Sequence, residues 1–213
     1  TRQKITPFGY QAVLIGNQLQ LLEHNQVESN EETLDPAQGQ PSSIFWKSLV
    51  DVYGELRAGI TQIRLTIPGT TSEVVGTVAY HPSDDHYLLF TVDEDTVPTN
   101  TLTAVTAVID PLTSGPGDGL AAATSGQRYL LLNAIGDADN TDASDAWGSL
   151  VASKNDIIEY DGTNWAVSTD ASATSTTQYV TNLTTSVQFK WDGTTWTKSY
   201  QGLYEGGEWS LVL

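Results

Sequence analysis

From Gln62 to Ile67 the chain alternates, with Ile63, Leu65 and Ile67 separated by Gln62, Arg64 and Thr66. Successive side chains of a strand point to opposite faces, so this period of two predicts a strand with one apolar and one wet face. Strands are also predicted at Gln11 to Ile15 and, with Leu19, Leu21 and Glu23 alternating with their neighbours, after a Gly16-Asn17 turn; Leu102 to Ile109, rich in Thr and Val, and Tyr129 to Leu132 are expected as further strands. Val74 to Tyr80 and Tyr87 to Val92 flank His81-Pro82-Ser83-Asp84-Asp85, whose residues suit a tight connection, so these two runs are expected to form a hairpin. One stretch has a different period. Phe45, Leu49, Val52 and Leu56 recur at spacings of three and four after Pro41, Ser42 and Ser43, which predicts a short helix over 44–56 with Gly59 as its stop.

The breakers in Pro111-Leu112-Thr113-Ser114-Gly115-Pro116-Gly117-Asp118-Gly119 suggest a boundary. The expected fold class is therefore mainly β. A β-sandwich or small barrel with one short helix over 1–110 is followed by a Gly/Pro/Ala-rich linker over 111–128 and a small domain of aromatic β-hairpins over 129–213. Exposed acidic loops are expected over 28–40 and 136–145.

The hairpin domain is inferred from an internal repeat. Tyr160-Asp161-Gly162-Thr163-Asn164-Trp165 returns as Trp191-Asp192-Gly193-Thr194-Thr195-Trp196 and, more loosely, as Tyr204-Glu205-Gly206-Gly207-Glu208-Trp209. Asp-Gly between alternating runs is a strong hairpin signal because glycine supplies the positive φ of the turn. A two-residue loop sets Ile158 opposite Trp165, and a four-residue loop sets Tyr160 there. Either way Ile158, Tyr160, Trp165 and Val167 share a face. Tyr160, Trp165, Trp191, Trp196, Tyr204 and Trp209 are thus candidate aromatics for packing in a β core or for presenting a ligand-binding platform.

Charge narrows the partners. Nine basic against 26 acidic residues give a formal charge of -17, which opposes a phosphate-backbone partner and favours water, cations or a basic protein surface. Nucleic acid is therefore not expected as a partner. The longest apolar runs, such as Ala12 to Ile15, fall far below the roughly 20 residues of a membrane span, so no membrane partner is expected either. Cysteine is absent, which excludes disulfides, thiolate metal sites and a cysteine nucleophile within the chain. Methionine is absent too, even at position 1, as fits a processed or trimmed piece of a longer chain.

Candidate chemistry is sparse. Asp137, Asp139, Asn140, Asp142 and Asp145 offer alternating oxygens that can converge on Ca²⁺, but Asp142 and Gly148 stand where an EF-hand loop needs its glycine and its final acid. His81, Asp84, Asp85 and His86 form the one local cluster of histidine with carboxylate, without a third neighbouring ligand type, and His24 is remote. Asp93, Glu94 and Asp95 offer paired carboxylates of the sort a glycosidase uses, in a chain where such pairs arise by composition alone. Phosphate-loop, dinucleotide, zinc-protease and serine-elbow motifs are missing, and neither a catalytic residue nor a required cofactor is expected.

The segments Asp156 to Trp165, Gln178 to Leu183 and Phe189 to Trp196 resemble parts of structural proteins of large contractile-tailed bacteriophages. The resemblance covers the last third of the chain. It implies a virion protein of the neck, tail, baseplate or capsid that acts by protein–protein assembly, without turnover, beside other virion structural proteins and further copies of itself. The alternative is a carbohydrate- or receptor-binding module of a phage fibre, which requires several of the six aromatics to stand exposed on one surface.

Overall fold

The computed structural model describes residues 2–23, 43–136 and 145–213. The acidic loop expected over 28–40 lies outside them, as does most of that over 136–145. In chain order the first strands are β1 (Lys4–Ile5), β2 (Tyr10–Ile15), β3 (Gln18–Glu23) and β4 (Ser43–Ile44), followed by the helix α1 (Trp46–Tyr53). Then come β5 (Gln62–Thr66), β6 (Glu73–Tyr80), β7 (Tyr87–Val92), β8 (Ala107–Ile109), β9 (Gly115–Pro116), β10 (Gly119–Leu120) and β11 (Arg128–Leu131). The series ends with β12 (Ile157–Tyr160), β13 (Trp165–Thr169), β14 (Gln178–Asn182), β15 (Val187–Trp191), β16 (Trp196–Lys198), β17 (Gly202–Tyr204) and β18 (Trp209–Val212). The chain is mainly β with one short helix, as its periodicity predicts.

It divides into two compact units, Thr1–Pro98 with Tyr200–Leu213, and Thr99–Ser199. The first unit is one antiparallel sheet of nine strands in the order β1-β18-β5-β6-β7-β3-β2-β17, with β4 added to β3. The alternation read from sequence sets its inner face: Ala12, Leu14, Leu19, Leu21, Ile63, Leu65, Val78, Leu88 and Leu211 are buried together. Burying each large aliphatic side chain contributes about 1.5–3 kcal/mol.

Two tryptophans bend this sheet onto itself. Trp209 on β18 donates its indole N–H to the carbonyl of Tyr10 on β2 at 3.0 Å, joining strands that stand second from opposite ends of the sheet. Trp46 of α1 meets Trp209 edge-on at 5.8 Å and donates to the Leu19 carbonyl at 2.9 Å, filling the middle of the curl. The sheet is nevertheless an open one. Its end strands β1 and β17 are not laddered to each other, and the corner Glu205 to Glu208 carries the chain between the ends. Gly206 fits that corner because a Cβ there would lie 3.1 Å from the Gly9 nitrogen.

The helix is shorter than predicted and turned about its axis. Its buried face is Trp46, Leu49 and Val50, while Val52 is 72% and Phe45 49% exposed. The indole of Trp46, the largest apolar group of the segment, takes the core position and rotates the predicted stripe outward. Gly54 ends the helix at φ 151°, donating its N–H to the Val50 carbonyl.

In the second unit β11-β12-β13 and β14-β15-β16 are two three-stranded antiparallel meanders. The segment before β11 serves both. Thr101, Leu102 and Val105 hydrogen-bond to β14 through the Tyr179 and Thr181 carbonyls, after which Thr106 turns to Arg128 and β8 runs parallel to β11. The expected strand over 102–109 is therefore broken where the chain changes partner. Val105, Leu130, Ile157 and Val180, with Phe189 and Trp196 against them, fill the space between the meanders. A second cluster holds Ile109, Tyr129, Leu131, Ile135, Trp147 and Ile158.

The boundaries read from sequence need correction. Residues 111–128 are folded within the second unit: the Asp110 carboxylate accepts from Leu112 N–H and the Asn133 amide, its carbonyl accepts from Thr113 and Ser114, and β9 pairs with β10. Residues 200–213 leave the hairpin region for the first unit, where β18 lies between β1 and β5 with all four residues buried. The third repeat copy is thus a corner between strands that do not pair with each other.

Gly76 of β6 faces the Phe90 ring, where an added Cβ would sit 2.3 Å from two ring carbons and 2.8 Å from the Thr91 carbonyl oxygen. Gly76→Ala is expected to destabilise the first unit by about 1–3 kcal/mol, read as a lower urea midpoint in equilibrium unfolding. An unchanged midpoint would contradict this packing.

Candidate functional site

The two close copies of the repeated motif fold alike. Tyr160 stands opposite Trp165 and Trp191 opposite Trp196, so each connection has four residues. The Asp161 carboxylate accepts from the N–H groups of Thr163 at 2.7 Å and Asn164 at 2.8 Å, and Asp192 accepts from those of Thr194 and Thr195, both at 2.8 Å. Gly162 and Gly193 take φ 105° and 99°. In both hairpins the paired rings are tilted by 44°, with centroids 5.3 and 5.5 Å apart. Hydrogen bonds to the ionised form favour it: Asn164 and then Thr163 hold the Asp161 carboxyl below its usual range, and Thr194 and then Thr195 do so for Asp192.

The repeat is larger than the hairpin. Ala121, Ala123, Thr124, Ser125 and Tyr129 return fifty positions later as Ala171, Ala173, Thr174, Ser175 and Tyr179. Ser125 lies under the first turn, donating to the Asp161 carbonyl at 3.2 Å, and the Ser175 carbonyl lies where a Cβ on Gly193 would approach to 2.9 Å. Each copy is therefore one three-stranded module. The copies differ between their first two strands, where copy two has the turn 183–186 and copy one has the long insertion 132–156. The insertion is pinned at its base by paired hydrogen bonds between Ile135 and Ala152, and by the buried Asp156 carboxylate, which accepts from Ser153 and Ala171 N–H. In repeat architectures, such insertions gather on one face, often the binding face.

The insertion carries Trp147 onto the first module. Trp147 meets Trp165 edge-on at 5.3 Å, while Tyr129 stacks on Trp165 at 5.2 Å. Between Ala146–Val151 on one side and Tyr160 and Thr163–Ala166 on the other lies a groove of about 710 Å³, with Pro116 and Ala123 also in its wall and no charged side chain in its lining. Four of the six tryptophans donate their indole N–H to a backbone carbonyl, Trp46 to Leu19, Trp191 to Thr174, Trp196 to Asn155 and Trp209 to Tyr10. Trp147 and Trp165, the two in the groove wall, have no indole acceptor among the described residues, and the Trp147 N–H is buried.

The groove borders the start of β13 at Trp165 and Ala166, a strand with an open edge. Tyr160 donates its backbone N–H to Gln127 and accepts from Gly126, so its polar groups are directed away from β13. In an antiparallel ladder the residues opposite such positions also turn outward, which directs the backbone groups of Trp165 and Val167 to the free side of β13. Ala166, Val167 and Ser168 are exposed, and among the described residues no strand pairs with β13 on that side.

The other residues singled out by sequence are dispersed. Trp191, Tyr204 and Trp209 are buried, Tyr160, Trp165 and Trp196 are half-buried, and Tyr204 and Trp209 belong to the first unit. These six rings form no common exposed surface. Burial drives the Tyr204 hydroxyl well above the usual phenol range, and it donates to the Tyr200 carbonyl at 2.6 Å. Asp84 accepts from the His86 N–H and ring, His81 accepts from Ser83 N–H, and Asp93 caps the turn Glu94–Thr96 by accepting from Asp95. Among the described residues no three His, Asp or Glu side chains are gathered for a metal ion. Asp137, Asp139, Asn140 and Asp142 lie outside the described residues, as does the side chain of Asp145. No described helix is long and apolar enough to cross a membrane. Compared with family models, curated proteins and solved structures, the chain matches none.

The turn carboxylates give a pH prediction. Their folded pKa values are depressed, so their contribution is complete above the unfolded Asp range and is lost as pH falls through the folded values. Amide protection at Thr163, Asn164, Thr194 and Thr195, followed by NMR, is expected to persist through the ordinary Asp titration and to fail only at more acidic pH. Loss at the ordinary Asp midpoint would contradict the hydrogen-bonded turns.

Proposed function

We propose that this chain is a non-catalytic structural protein of a phage virion, a module that joins protein to protein in a neck, tail, baseplate or capsid. The observation that carries the reading is the open, uncharged edge of β13 beside a groove without charged lining, since exposed backbone donors and acceptors next to an uncharged recess are what an assembly contact uses. The repeated hairpins support it through their resemblance to segments of contractile-tailed phage proteins. Its partners are other virion structural proteins and further copies of itself. A charge of -17 disfavours a nucleic acid partner. The carbohydrate-platform alternative loses support because three of its six aromatics are buried and the other three half-buried.

Mass spectrometry and high-resolution electron microscopy of purified particles test this reading. The chain is expected at a fixed copy number, with density in a repeated shell or tail contact. Its absence from purified particles would overturn the reading.

A further inference from the structure

We infer that the groove beside β13 is a strand-addition site, which takes an extended, non-acidic peptide segment of a partner protein as an additional strand of the first module. Three independent features converge there. The backbone groups of Trp165 and Val167 face the open edge, and the side chains along β13 carry no charge to repel a neighbouring strand. The groove is walled by the insertion that the second module lacks, so it is a feature added to the repeat rather than a by-product of it. Its wall also holds the rings of Trp147 and Trp165, the two indoles not tied to a backbone carbonyl among the described residues, whereas the four others are so tied.

Charge selects the segment. The unit Thr99–Ser199 contains eleven acidic and four basic residues, while the groove lining is neutral. A small or aliphatic side chain suits the recess, and basic residues at the segment's ends suit the surroundings. A second copy of this edge is a poorer occupant, because two such acidic units repel. The inference rests on the assembly reading only in taking the partner to be a protein.

The test uses the full chain labelled with ¹⁵N and a synthetic peptide, Lys-Val-Thr-Val-Thr-Val-Lys, followed by NMR. The account expects amide shifts at Trp165 and Val167 and a shift of the Trp147 indole. Replacing the peptide's terminal Lys with Glu, or N-methylating alternate residues on its pairing edge, is expected to weaken binding roughly tenfold or more. Val167→Pro, which removes an N–H directed away from β12, is expected to do the same without disturbing the β12–β13 ladder. If that variant does not fold, the N-methylated peptide against the unaltered chain decides. Absence of shifts at β13, equal binding of the Glu-ended or N-methylated peptide, or groove shifts with a neutral oligosaccharide such as maltoheptaose in place of the peptide would overturn the inference. Peptide binding by a chain missing from virions would retain this site and remove the virion reading; a virion chain that ignores the peptide would do the reverse.

Discussion

The structure depends on how its tryptophans are buried. An indole ring is the largest apolar group a chain can place in a core, but its N–H must find an acceptor there or leave a donor unsatisfied at a cost of about 1–3 kcal/mol. Four of the rings meet this requirement by donating to a backbone carbonyl of another segment, which makes each of them both filler and fastener. Trp46 and Trp209 draw the nine-stranded sheet into a curl, and Trp196 reaches from the second module to Asn155 in the insertion of the first. The exceptions, Trp147 and Trp165, mark the groove.

The second unit shows how such a place arises. Two modules share the Thr-Ser approach, the tyrosine of the first strand and the Asp-Gly turn, so their backbones are fixed by the same local hydrogen bonds. Copy two closes its first two strands with a short turn. Copy one accommodates the insertion 132–156, held at its base by the Ile135–Ala152 bridge and by Asp156, without altering the ladder beneath. A stable repeat supplies the rigid edge, and the insertion supplies the wall over it.

Much of the β pattern was legible in sequence because period-two alternation reports directly which side chains face a core. The strands around Gly16, the hairpin of β6 and β7 and the two Asp-Gly hairpins follow from it, and the four-residue option at the turns is the one adopted. Long-range pairing was not legible. Nothing local in Tyr204 to Trp209 distinguishes a hairpin from a corner, and only the burial of all of β18 between β1 and β5 decides. The Pro/Gly run after Asp110 reads as a linker, yet one carboxylate with several local donors folds it. The groove was hidden because Trp147 has no periodic context. Aligning 121–129 with 171–179 would have revealed the module and isolated 132–156 as its insertion.

The central claim is that Trp46, Trp191, Trp196 and Trp209 act as internal fasteners and are not presented to solvent as a binding face. Hydroxyl-radical footprinting of the full chain, resolved by residue with mass spectrometry, tests it most directly. The account predicts that Trp46, Trp191 and Trp209 react far more slowly than Phe8, which is 76% exposed, with Trp165 and Trp196 between them. Rapid oxidation of Trp191 and Trp209, at the rate of an exposed ring, would contradict the account.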